Sequence, residues 1–274
     1  MSFTRLDLLT DRTDPDETLR RFNEDLDLVE NLHRFLVTSV PAMFEGKIGD
    51  FARGVDLDYY SYGDAMWDAE RTLGVTPWHV EAHSGMIAIS RAVSLSELAL
   101  AQMAARVFEH PETIIYRDGR TWSRRLEGLF YKTCLVASFK VGGSGFSALR
   151  DLRDTYIHGY GLASSRERRT ALAQSLYQGT DTSPITPEET ALGYDGVVGY
   201  FGAATYTKGD LHPGIDGLLT ASITPLATHR AIKQIRSHIA SAHAAIEQGV
   251  KPGQTSANNK FCRELARRTA REKE

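Results

Sequence analysis

The sequence predicts an all-α protein, a helical bundle with additional helices and one long irregular segment. Several stretches repeat apolar residues every three or four positions, which is the spacing of one face of a helix. Serine or proline precedes several of these stretches and glycine follows them, as expected at helix ends. With 274 residues, 42% hydrophobic and 24% charged, the chain has the composition of a globular protein with a sizeable core.

The first predicted element is a long amphipathic helix over residues 14–41. It opens with an acidic, turn-like start, and acidic side chains suit both a helix N-terminus and a solvated face. The apolar positions at helical spacing are Leu19, Phe22, Leu26, Leu28, Val29, Leu32, Leu36 and Val37. Residues 46–63 mix Gly, Asp and Tyr without periodicity, so we expect a loop there with a short helix after it.

The centre of the chain contains the next predicted helices. Ser94 and Glu97 form a capping-box pattern before a run of strong helix formers, so a helix is expected to begin at Ser94. A second helix is expected over residues 121–139, followed by a break at 142–145 and a further helix from Phe146. The glycine-rich residues 140–145 are either a phosphate cradle or a flexible connection between helices.

The C-terminal half begins with a predicted helix over residues 164–178. Residues 179–224 are rich in Gly, Pro and Thr and predict an irregular segment, either a functional loop or a small insertion. A long helix over 225–249 is expected between Pro225 and Gly249, and the tail 255–274 is basic. We interpret residues 1–274 as a single elongated helical domain.

Composition excludes several classes of protein. The formal net charge is -3, so no protein-wide positive field exists to bind nucleic acid or an anionic membrane indiscriminately. Cys134 and Cys262 are too few for a disulfide framework or a cysteine-based zinc site. No apolar stretch is long enough to span a bilayer, and the acidic N-terminus does not resemble a secretory signal. We therefore expect a cytoplasmic protein that does not bind membranes.

The residues most suggestive of chemistry are Arg153, Asp154, His158 and Tyr160, at the end of a predicted helix. Acid–base catalysis requires a group that takes and gives a proton, and a cation can stabilise negative charge that develops in a transition state. Histidine titrates near neutral pH, and the arginine fork suits phosphate oxygens. Asp154 is a candidate to orient Arg153 or His158, and Tyr160 a candidate phosphate contact. Residues five apart on a helix point about 140° away from each other, so both reach one ligand only near a helix end or across a dimer.

This motif resembles the signature of the HEPN superfamily of all-helical proteins. The signature consists of an arginine, a polar residue, three further residues, a histidine, any residue and a tyrosine. The resemblance covers residues 94–178 at most, with the helices 14–41 and 225–249 flanking this core. It implies a metal-independent endoribonuclease without cofactor, in a toxin or phage-defence setting, acting on RNA as a homodimer with a composite site. Arg153 and His158 would be catalytic, with Asp154 and Tyr160 supporting them. In some related toxins an antitoxin adenylylates the matching tyrosine, which makes Tyr160 a candidate switch.

Other interpretations of the motif remain open. Arg153 could pair with Asp154 or Glu167, and His158 could interact favourably with a helix C-terminus. The chain could also be a HEPN-like module that binds RNA, a nucleotide or a protein without cleaving it, or a helical scaffold in which the motif is a coincidence.

Two further groups of residues have both a functional and a plain interpretation. His79, Glu81 and His83 place two imidazoles one helical turn apart, a possible metal pair, but surface or core histidines are the preferred reading. A group of arginines near the motif is equally consistent with an RNA-backbone patch and with a solvated helix face. These arginines are Arg150, Arg166, Arg168 and Arg169.

Overall fold

The structure is a computed structural model, and it describes residues 15–53, 61–107, 144–159, 166–200 and 223–249. All regular secondary structure within these ranges is helical, so the predicted all-α class is confirmed. The helices in chain order are α1 (Pro15–Ala52), α2 (Tyr62–Leu73), α3 (Pro77–Val107), α4 (Ser144–Gly159), α5 (Arg166–Gly179), α6 (Pro187–Ala191) and α7 (Pro225–Gly249).

Helix α1 is longer than the sequence predicts. It continues past residue 41 through Gly46 and Gly49 to Ala52, where a loop was expected. Tertiary packing explains the difference, because Phe44 and Ile48 are buried in one cluster with alanines of α2. Burial of an apolar face outweighs the low helix propensity of the two glycines.

Helix α2 is the short helix expected after this region, and both of its ends are capped. The Ser61 hydroxyl accepts a hydrogen bond from the backbone of Asp64, whose carboxylate accepts one from the backbone of Ser61. Gly74 ends the helix in the left-handed region at φ 68°, and its N–H donates to the carbonyl of Glu70.

Helix α3 corrects the prediction that a helix begins at Ser94. The helix starts at Pro77, so Ser94 and Glu97 lie in its interior and form no N-terminal cap. The serine–glutamate pattern is therefore incidental, since the residues before it already pack as a helix. Within α3, Gly85 marks the close approach of the start of α7: an added Cβ would lie 2.6 Å from Thr228 Oγ1.

The remaining helices agree with the sequence to different degrees. α4 begins at Ser144, inside the expected break at 142–145, and α7 matches the predicted 225–249. In the irregular segment the short helix α6 opens with a capping box between Thr186 and Glu189. The predicted helix 121–139 and the basic tail 255–274 lie outside the described residues.

The chain divides into two compact units, and we describe each by itself. The described part of the first unit consists of residues 15–27, 92–107, 144–147 and 233–249. Arg236 of α7 binds Asp27 of α1 at 2.6 Å, and Phe146 of α4 stacks on His238 of α7 with ring centroids 4.2 Å apart. Its buried core includes Phe22, Leu26, Leu95, Leu100, Met103, Phe146, Ile235 and Ile239.

The described part of the second unit consists of residues 28–53, 61–91, 148–159, 166–200 and 223–232. Thr224 joins two of its segments: the hydroxyl accepts a hydrogen bond from the N–H of Gly199 and donates one to the carbonyl of Val197. The same hydroxyl accepts the N–H of Ala227 at the start of α7. Among the described helices, none is both long and apolar enough to cross a membrane.

Candidate functional site

Arg153 lies on α4 and is held by the adjacent Asp154. Its Nε and Nη2 atoms donate to Asp154 Oδ1 at 3.0 Å and 2.8 Å, and its side chain is 11% exposed. A nearly buried guanidinium held in this way has a fixed orientation and a partly balanced charge. Both the orienting role and the plain ion-pair interpretation of Asp154 are compatible with this contact.

His158 lies in the last turn of α4, which ends at Gly159. The helix is continuous from Arg153 to His158, so the two positions are about 140° apart around its axis. Glycine thus ends the helix directly after the histidine and not between the two residues. Tyr160, the fourth residue of the motif, lies outside the described residues.

The structure removes Arg150 from the proposed basic patch. This side chain is completely buried, so it belongs neither to an RNA-backbone surface nor to a solvated helix face. Arg166, Arg168 and Arg169 lie on α5, which leaves these three positions as the remaining candidates for the patch.

The histidine pair at residues 79 and 83 lies on α3, and both side chains are exposed. His79 Nδ1 is 2.8 Å from the hydroxyl of Thr76, which also accepts the N–H of His79 at the start of the helix. This imidazole therefore takes part in capping α3. Within the described ranges, no group of three or more His, Cys, Asp or Glu side chains could hold a metal ion.

A buried polar cluster in the second unit was not predicted. Glu30 and His33 lie one turn apart on α1, and His229 of α7 contacts Glu30 at 2.6 Å. Tyr194, from the segment after α6, stacks on the His229 ring with centroids 4.6 Å apart. Among the described residues, no hydrogen-bond partner is present for either ring nitrogen of the buried His33 or for the hydroxyl of the buried Tyr194.

The surroundings of this cluster shift the pKa values of two of its residues, His33 and Tyr194. Burial, and secondarily the nearby His229, lowers the pKa of His33 from 6.5 to about 4, although Glu30 acts in the opposite direction. Burial and the Glu30 carboxylate raise the pKa of Tyr194 to about 12. His33 is therefore neutral, and Tyr194 is protonated, throughout the physiological range.

A second unpredicted arrangement fixes part of the irregular segment. Arg230 of α7 donates through its Nε and Nη2 atoms to the two oxygens of Glu189 at 2.8 Å each. Its other three donors reach the carbonyls of Asp181, Ser183 and Pro184. All five N–H groups are thus used, and the arginine also holds the pKa of Glu189 at about 2. This saturated guanidinium holds the loop in place and offers nothing to a ligand.

Parts of these arrangements have signals in the sequence. Thr186 and Glu189 have the spacing of a capping box, and Glu30 and His33 share one face of a helix at a spacing of three. Their partners on α7, His229 and Arg230, are about 200 and 40 positions away and follow no local pattern. Only the folded chain shows these pairings.

Comparisons of the chain with protein-family models, with curated proteins and with solved structures found no match.

Proposed function

We propose that this chain is a metal-independent endoribonuclease of HEPN type, a toxin or phage-defence effector that cleaves RNA at a composite site in a homodimer. The observation that carries the proposal is the position of the motif on a helix end in an all-α structure. Arg153, already oriented by Asp154, lies five residues before His158, and the helix ends one residue after His158 at Gly159.

The helix geometry supports a site shared between two copies. Because positions 153 and 158 lie about 140° apart on one continuous helix, a single α4 presents them in different directions. A second copy related by a two-fold axis supplies the missing group, Arg153 from one chain and His158 from the other. Such a dimer has two equivalent sites.

The chemistry assigns a role to each residue. His158 takes the proton from the RNA 2′-hydroxyl or gives one to the leaving oxygen, a contribution of about 10²–10⁴ in rate. Arg153 stabilises the charge that develops on the phosphorane, and the contact with Asp154 keeps its guanidinium in place before RNA binds. Tyr160 contacts a phosphate and is a target for regulatory modification by an antitoxin.

A cleavage assay tests the proposal. Wild-type protein is incubated with mixed-sequence single-stranded RNA in excess EDTA, next to Arg153→Ala and His158→Ala. His83→Ala and Arg91→Ala are the matched controls, because both side chains are exposed on α3. Products ending in cyclic phosphate are expected from the wild type and both controls only. Equal cleavage by His158→Ala would show that another group, or a contaminant, cuts the RNA.

Mixing the two inactive variants tests the composite site. Half of the randomly formed dimers contain one chain of each kind, and each of these has one intact site out of two, so about a quarter of the wild-type activity returns. No recovery in a mixture that exchanges chains would place both residues of a site on one chain.

The second candidate function is a HEPN-like module that binds RNA, a nucleotide or a protein without cleaving it. The ion pair between Arg153 and Asp154 supports this reading too, because the carboxylate balances part of the charge that would otherwise stabilise a phosphorane. The same variants separate the two functions. A binding module retains RNA without cutting it, and Arg153→Ala weakens its retention.

A further inference from the structure

A groove lies on the second compact unit, between the middle of α1 and the C-terminal end of α6. Its volume is about 460 Å³, which is within the range of pockets that hold small molecules. One wall consists of four neighbouring side chains of α1. The other consists of the last residue of α6 and the residue after it. The lining residues are Asn31, Arg34, Phe35, Thr38, Ala191 and Leu192.

The four α1 side chains of the groove point to the same side of the helix. Arg34 and Thr38 follow Asn31 by three and seven residues, and Phe35 follows it by four, so all four lie within about 100° of each other around the helix axis. From the first to the last, this wall is about 10 Å long. It combines one cation and two neutral polar groups with an aromatic ring that is 59% exposed.

The opposite wall is fixed by contacts within the chain. The N–H of Tyr194 donates to the carbonyl of Glu189, and the carboxylate of Glu189 is itself bound by Arg230. Gly193, at φ 88°, passes so close to α1 that an added Cβ would lie 3.3 Å from Cγ2 of Thr38. A ligand therefore meets a groove that is already formed, which lowers the entropic cost of binding.

Arg34 is the charged side chain of the groove, and its charge is not balanced by a carboxylate. Its Nη2 donates to Asn31 Oδ1 at 2.7 Å, and the amide of Asn31 is neutral. Within the ranges that the structure describes, Arg34 forms no ion pair, whereas Arg20 and Arg21 of the same helix both pair with Glu17. The remaining N–H groups of Arg34 are suited to bind a carboxylate in bidentate geometry.

Charge and apolar surface together define the ligand. One cation suits a single negative charge, and the carboxylate of Glu30, one turn before Arg34, disfavours a second one. Phe35 and the 39% exposed Leu192 offer apolar surface to a flat ring. We propose that this groove binds a small monocarboxylate with an aromatic body. Its carboxylate lies on Arg34 and its ring against Phe35 and Leu192.

Ligand-observed NMR titrations of the full chain with 2-naphthoate and with 2-naphthamide test this proposal. The two probes have nearly the same shape, and only the first is charged. A Kd on the order of 1 mM is expected for 2-naphthoate, as is typical of so small a ligand. The neutral 2-naphthamide should bind about fivefold more weakly, because it loses the ion pair with Arg34.

Variants of both kinds of lining residue make the test specific. Arg34→Gln should bring the two probes to the same affinity, whereas Arg34→Lys keeps the charge and should retain most of the preference. Phe35→Ala should weaken both probes at least about threefold, because it removes apolar surface from the groove. The matched controls are Arg53→Gln and Met43→Ala, which change an exposed arginine and an exposed apolar side chain outside the lining of the groove. Both should bind like the wild type.

Three results would overturn the proposal. These are equal affinity of the wild type for the two probes, a preference for 2-naphthoate that survives Arg34→Gln, and binding of neither probe up to about 10 mM. Circular dichroism confirms that the variants are folded. The groove contains no residue of the motif around Arg153, so the result does not depend on whether the chain cleaves RNA.

Discussion

Acid should destabilise this protein through one buried imidazole. His33 is 2% exposed, and neither of its ring nitrogens has a hydrogen-bond partner within the part of the chain that the structure describes. Its pKa falls from 6.5 to about 4 on folding, so between these values the unfolded chain binds a proton that the folded chain does not. Stability is therefore fully present above pH 6.5 and is lost as the pH falls towards 4.

The loss in the free energy of unfolding follows from the difference between the pKa of His33 in the unfolded and in the folded chain. Each pKa unit corresponds to about 1.4 kcal/mol, so a shift from 6.5 to about 4 limits the total loss to about 3 kcal/mol. Between pH 7 and pH 5 the expected part is about 2 kcal/mol. His33→Leu removes the titrating group and fills most of the same volume, so this variant should lose about 2 kcal/mol less than the wild type over that interval.

Urea unfolding at a series of pH values measures the effect. Other groups titrate in the same range, so the informative quantity is the difference in pH slope between wild type and variant. His83→Gln provides the control, because that side chain is exposed in the folded chain and its replacement should leave the slope unchanged. Parallel pH profiles for wild type and His33→Leu would refute the inference that the imidazole is buried and uncharged.

Three other changes have effects that the structure predicts. Glu189→Gln leaves the buried charge of Arg230 without its carboxylate and should cost about 3 kcal/mol in urea unfolding; a loss below about 1 kcal/mol would mean that this ion pair is solvated. Gly85→Ala adds a methyl group where α7 leaves no space and should lower the free energy of unfolding by about 1–3 kcal/mol, so an unchanged thermal midpoint would contradict the close approach. Asp154→Asn weakens the hold on Arg153 and should slow RNA cleavage about tenfold while binding to RNA is retained; unchanged rates would show that the contact is only structural.

The parts of the fold that were predictable are those with local signals. Pro225 and Gly249 mark the start and end of α7 within the sequence itself, and the structure agrees with both. The capping pattern at Ser94 failed because the same residue types occur inside helices, and nothing nearby shows that the helix has already begun at Pro77. The continuation of α1 through Gly46 depends on packing against α2, which no window of the sequence contains.

The candidate site also has features with local sequence signals and features that depend on tertiary packing. The order of Arg153, Asp154 and His158 could be read from the sequence, and the ion pair between the first two joins adjacent residues. The burial of Arg150, which lies one turn before Arg153, could not be read from the sequence. It depends on the side chains that surround α4 in the folded protein. The cluster around His33 also escaped notice, since its histidine partner is contributed by a helix near the other end of the chain.

The pinning of residues 181–184 and Glu189 by Arg230 has a consequence for biosynthesis. The anchor is 41 residues later in the chain than the carboxylate it holds. At about 5–20 residues per second, a ribosome synthesises that interval in several seconds. The exit tunnel delays the emergence of both segments equally, so for an interval of this length the loop is outside the ribosome without its anchor, and Glu189 has no cation of α7 to pair with. Chains that are truncated before Arg230 and released from the ribosome should therefore be cut by proteases between residues 180 and 190, whereas the full-length protein resists cleavage there.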